Sequence, residues 1–142
     1  MNVLTAREAS IFACLTDTVV APQTVLPPVS QTDAADAFDR WLAHSPRANA
    51  IGMRGLVLAI ELGPLALGYR RRLRRLPPGD RARYLQTLEQ SRAAPVRQLT
   101  RAIKSIAFFC YYGDDALLLR LGYDPDANVG RGRELRARQG RP

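Results

Sequence analysis

The side chains able to do chemistry are few and far apart in this chain. Its one histidine is His44 and its two cysteines are Cys14 and Cys110. Hydrolysis or group transfer needs a nucleophile beside a base, and a structural zinc site needs about four closely spaced ligands. Neither pattern occurs. His44 falls at the expected end of a helix, where an imidazole suits the dipole and the free carbonyls. Each cysteine sits on an apolar helical face and reads as a small core residue. Gly130-Arg131-Gly132 follows no strand, so it is not a nucleotide fingerprint. The expectation is a chain that is not itself an enzyme and holds no cofactor or metal.

Two other groups of residues could act by binding. Arg70, Arg71, Arg72, Arg74 and Arg75 are almost contiguous, and guanidinium forms bidentate bonds with phosphates and carboxylates. The plainer reading is a solvated helix face flanking Leu73. Tyr111 and Tyr112, with Tyr123, are either core residues with their hydroxyls at the edge or anchors of a protein contact.

These residues sit in a chain of 142, long enough for one domain with a hydrophobic core. It is 46% hydrophobic and 24% charged, the balance of a folded globular protein. The formal charge is +8, and of 21 basic residues only Lys104 is lysine. No stretch of eighteen or more uncharged apolar residues exists to span a bilayer. The N-terminus lacks a twin-arginine or basic leader pattern, so a cytoplasmic location is expected, with co-export on a signal-bearing partner as the alternative.

Helical periodicity dominates. Thr5-Ala6-Arg7-Glu8 is a capping box, and Ile11, Phe12, Leu15 and Val19 form one face of a first helix to about Val20. Pro22, Pro27 and Pro28 force an extended connector. A second helix, from about Thr32, carries Ala34, Ala37, Phe38, Trp41 and Leu42 as its apolar stripe. Pro46 opens a third, whose charges Arg47, Arg54 and Glu61 form a narrow polar strip; such a helix is expected to be central. Gly63-Pro64 kinks or stops it, and a short helix with Tyr69, Leu73 and Leu76 is expected to resume with its arginines outward.

A fourth helix follows Pro77-Pro78. A fifth runs from Ala94-Pro95 to about Tyr112, with Val96, Leu99, Ile103, Ile106 and Cys110 along one side. Its last turns are apolar all round, so they are either buried or presented to a partner. A short helix from Asp114 ends at Gly122, whose freedom to take positive φ suits that position. The reading is all-α: one bundle of about five to six helices over residues 1–125, then a basic tail over 126–142, expected to be disordered.

The order of several short motifs resembles a known family. Leu4-Thr5-Ala6-Arg7-Glu8 leading to Leu15-Thr16-Asp17-Thr18-Val19-Val20-Ala21-Pro22 is similar to the opening of the gluconate 2-dehydrogenase subunit 3 family. Phe108-Phe109-Cys110-Tyr111-Tyr112-Gly113-Asp114, then Leu121-Gly122-Tyr123-Asp124-Pro125, resembles its closing signature. A layout like Arg70 to Asp80 also precedes the flavin domain of long-chain alcohol oxidases. The resemblance covers roughly residues 4 to 125.

It implies a non-catalytic helical subunit accompanying a large flavin-dependent oxidoreductase of the glucose-methanol-choline class. FAD and the alcohol or sugar substrate would reside in that partner, and electrons would pass on to a cytochrome, a quinone or oxygen. The partner contact is then expected at Arg70, Arg71, Arg74, Phe108, Tyr111, Tyr112, Asp114, Tyr123, Asp124 and Pro125. The alternative is a peripheral module that binds anionic lipid or nucleic acid through Arg70–Arg75 and the tail. No base-reading or stacking platform accompanies the charge, so no specific nucleic acid is expected.

Overall fold

A computed structural model describes residues 3–21, 26–123 and 125–138. Among them are helices α1 (Ala6–Val20), α2 (Ala34–Ala43), α3 (Arg47–Ala66), α4 (Pro78–Glu89), α5 (Ala94–Tyr112), α6 (Asp115–Arg120) and α7 (Pro125–Arg138), and no strand. Two short 3-10 turns, Val29–Gln31 and Leu73–Arg75, lie between helices.

Local chemistry sets the helix ends. The Thr5 hydroxyl accepts from the Glu8 amide at 3.3 Å while the Glu8 carboxylate accepts from the Thr5 amide at 2.8 Å. This capping box satisfies donors that the first turn of α1 cannot pair internally. Prolines stand near the starts of α4 and α5, where their missing amide costs nothing. Gly68 at φ +87° and Gly122 at φ +75° close α3 and α6. After Gly68 the Tyr69 amide donates to the Pro64 carbonyl at 3.0 Å, and after Gly122 the Tyr123 amide donates to Leu118 at 2.9 Å. Both are Schellman turns, which need the left-handed backbone that glycine takes without strain.

The central element is α1, which packs against α2, α3, α4, α5 and both 3-10 turns. Ile11, Phe12 and Leu15 are fully buried on it, and Phe12 stacks on Phe38 of α2 with ring centroids 4.0 Å apart. Each such buried aromatic or branched side chain contributes about 1.5–3 kcal/mol.

The expectation that α3 would be central is corrected. Ile51, Leu62 and Leu65 of α3 are exposed, whereas Glu61, placed on the polar strip by its spacing, is 1% exposed. The reason lies thirteen residues on. Arg74 brings its backbone amide and its Nε to the Glu61 carboxylate, each at 3.2 Å, so the charge enters the interior already paired. Arg54 likewise turns inward to the buried Glu8, at 2.9 Å.

The short helix expected after Gly63-Pro64 is also corrected. Pro64 lies inside α3, which continues to Ala66, and the arginine segment forms only the 3-10 turn Leu73–Arg75. On α5 the buried side is Thr100, Ile103, Ala107, Cys110 and Tyr111; Leu99, expected inward, is exposed. Residues 126–142 were expected as a basic, disordered tail. The described part takes helical backbone as α7, and each of its described side chains is exposed apart from half-exposed Gly132. Arg, Glu, Leu and Ala all favour helix locally.

Candidate docking face and arginine-lined cavity

Two surfaces stand out, and they share no lining residue. The first is a groove of about 510 Å³ between α2 and α5, lined by Ala37, Trp41, Ile106, Phe109, Cys110 and Gly113. It arises because α5 ends in a run apolar on every side while the bundle covers only one. Cys110 and Tyr111 turn inward, leaving Phe109 78% exposed and Trp41, at the edge of the α2 stripe, 41% exposed. Phe108 stands beside them, partly exposed, stacked on half-buried Tyr112 at 6.0 Å.

The second is a cleft of about 520 Å³ lined by Glu61, Leu65, Arg70, Arg71, Arg72, Arg74 and Arg75. The Gly68 turn throws the chain out of α3. Leu73 and Leu76 then plunge into the interior, and the arginines between and before them are left facing outward. Arg74 is the exception: besides Glu61 it reaches the Ser10 hydroxyl at 3.1 Å, and it is only half-exposed. The guanidinium groups of Arg70, Arg71, Arg72 and Arg75 form no hydrogen bond or ion pair within the described residues.

The residues expected at a partner contact therefore divide. Arg70, Arg71 and Tyr123 are exposed, as is part of Phe108. Tyr111 is corrected: it is fully buried, and its hydroxyl donates to the Pro27 carbonyl at 2.6 Å, pinning the connector onto α5. Tyr112 meets it edge-on at 5.0 Å. Asp114 caps α6 by accepting from the Leu117 amide at 3.1 Å, and it also accepts from the Asp33 amide at 3.4 Å. Asp124 lies outside the described residues, and Pro125 is the first residue of α7. Phe108, Tyr112 and Asp114 lie together at the C-terminal end of α5, whereas Arg70, Arg71 and Arg74 line the other cleft.

Trp41 and Phe109 were missed as surface residues. The sequence signal for Phe109 was the apolar circumference of α5 itself; Trp41 gave none, because it continues the stripe of Phe38 and Leu42.

The groups that could react are restrained. Burial pushes the Cys110 thiol up to about 11, with Asp33 adding to the rise and Arg40 opposing it. Burial also raises the thiol of Cys14. Both cysteines are free. The His44 Nδ1 lies 2.8 Å from the Arg40 carbonyl, at the end of α2. Among the described residues no three His, Cys, Asp or Glu side chains are grouped to hold a metal, and no helix is long and apolar enough to cross a membrane. No protein-family profile, curated protein or solved structure matches this chain.

Proposed function

We propose that this chain is a non-catalytic accessory subunit that docks through its α2–α5 groove onto a larger FAD-dependent oxidoreductase of the glucose-methanol-choline class. The observation that carries the reading is that two exposed aromatic side chains, Trp41 and Phe109, line one apolar groove between α2 and α5. Aromatic side chains presented this way supply much of the energy of protein contacts. The motif order of residues 4 to 125 supports the identity of the partner. The flavin, the substrate and the electron acceptor, whether cytochrome, quinone or oxygen, belong to that partner. This chain's role is to stabilise or shape it, in the cytoplasm or by co-export with it.

The reading revises the expected contact. Trp41, Phe109 and Phe108 form its centre and Tyr112 its margin, with Tyr111 supporting them from below. The test is co-purification from the native host, followed by flavin absorbance and the mass of the accompanying chain. A large flavoprotein is expected with the native chain and is lost with Trp41→Glu/Phe109→Glu, while that variant keeps its helical circular dichroism. A native chain that brings down no flavoprotein overturns the reading.

A further inference from the structure

We propose that the cleft lined by Arg70, Arg71, Arg72 and Arg75 is a binding site for a multiply charged phosphate group. This site is separate from the α2–α5 groove and does not depend on the subunit reading.

The argument starts from the cost of the arrangement. Five arginines line one cleft with a single carboxylate, Glu61, and that carboxylate is already committed to Arg74. Like charges brought together repel one another, and a flexible surface loop would let them spread apart. This loop is not free to do so. Leu73 is fully buried and Leu76 nearly so, and the Arg74 amide is held on the buried Glu61. The Leu76 carbonyl accepts from Arg81 Nε at 2.9 Å, which fastens the loop to α4. The fold thus fixes the backbone from both ends, and Arg70, Arg71, Arg72 and Arg75, whose guanidinium groups have no hydrogen bond or ion pair among the described residues, line a concave space. A cleft of about 520 Å³ lies in the range of ligand pockets. Guanidinium forks match the paired oxygens of phosphate, and several together match a di- or triphosphate or a phosphorylated headgroup.

The basic helix α7 is different: its arginines are spread along an exposed surface, and none of its described side chains is buried. It therefore supplies the control of equal charge.

The experiment is calorimetric titration of the full chain with tripolyphosphate, and sedimentation with vesicles of phosphatidylcholine doped with phosphatidylinositol 4-phosphate. Three proteins are compared: native, R70A/R71A/R72A/R75A, and R131A/R133A/R136A/R138A. All changes fall on exposed side chains, and Arg74 is kept so that Glu61 stays paired; circular dichroism verifies the fold. The native chain is expected to bind tripolyphosphate at one site, the cleft variant about tenfold or more weaker, and the α7 variant nearly unchanged. Vesicle binding that depends on the cleft, without tripolyphosphate binding, also supports the site and assigns its phosphate to a lipid headgroup. Equal losses in the two variants mean diffuse attraction to net charge and overturn the proposal. So does the absence of binding to either probe.

Discussion

The hydroxyl of Tyr84 on α4 donates to the carbonyl of Ile60 on α3 at 3.1 Å, and Pro64 is the reason that carbonyl is free. A proline inside a helix has no amide to give to the residue four before it. Gly63 makes the approach feasible, because a methyl group there would overlap the Tyr84 hydroxyl. Three residues on α3 and one on α4 thus form a single device that carries α3 through its proline. Burial pushes the Tyr84 hydroxyl, already a donor at physiological pH, further up to about 12.

Tyr84→Phe leaves the buried Ile60 carbonyl without its donor and is expected to cost about 1–3 kcal/mol. In a Pro64→Ala background the helix supplies its own amide, so the same change should cost less. Urea titrations of the four proteins in this cycle measure the coupling. Equal costs in the two backgrounds would show that the tyrosine acts by packing alone.

Glu8 predicts an acid limb of stability. Its burial favours the neutral acid, but hydrogen bonds from Arg54 and from the amide and hydroxyl of Thr5, with the Arg54 charge, hold the carboxyl below its ordinary 4.5. A carboxyl lowered by folding stabilises the fold above its unfolded pKa, and that contribution disappears as pH falls through the folded one. Native stability should therefore decline below about pH 4.5, and Glu8→Gln, though weaker at neutral pH, should decline less steeply. Thermal unfolding from pH 7 down to pH 3 gives the comparison.

Cys110 predicts slow thiol chemistry despite its place in the groove. With its pKa raised from 9.0 to about 11, the reactive thiolate near pH 8 is roughly a hundredfold scarcer than for an ordinary thiol. An aromatic disulfide reagent should label it slowly in the native protein and rapidly in urea. A native rate equal to the unfolded one would mean the groove is open to its base.

How far the sequence spoke depends on whether the deciding interaction was local. Thr5 with Glu8 closes a capping box in four residues, and Gly122 closes α6 within its own turn, so both were legible. The stripe of Phe12 and Leu15 was legible because polar neighbours define its other side. Glu61 was not: its inward position depends on an arginine thirteen residues away, in a segment whose conformation the periodicity misassigned. The end of α5 was ambiguous for another reason. Phe108 to Tyr112 offer an apolar residue in every direction, and only the packing of α1 and α2 decides that Tyr111 enters and Phe109 does not. The candidate surfaces inherit that division. The arginine run was visible as composition, but its concavity comes from Leu73 and Leu76 being drawn into the core.

The bond between Tyr111 and Pro27 joins residues 84 positions apart, and the central helix α1 finds a major packing partner in α5. During synthesis the greasy side of α1 would leave the ribosome long before the helix that shelters it exists. The apolar face of α1 therefore stays without its main cover until about residue 112 has emerged, so the bundle closes late in synthesis.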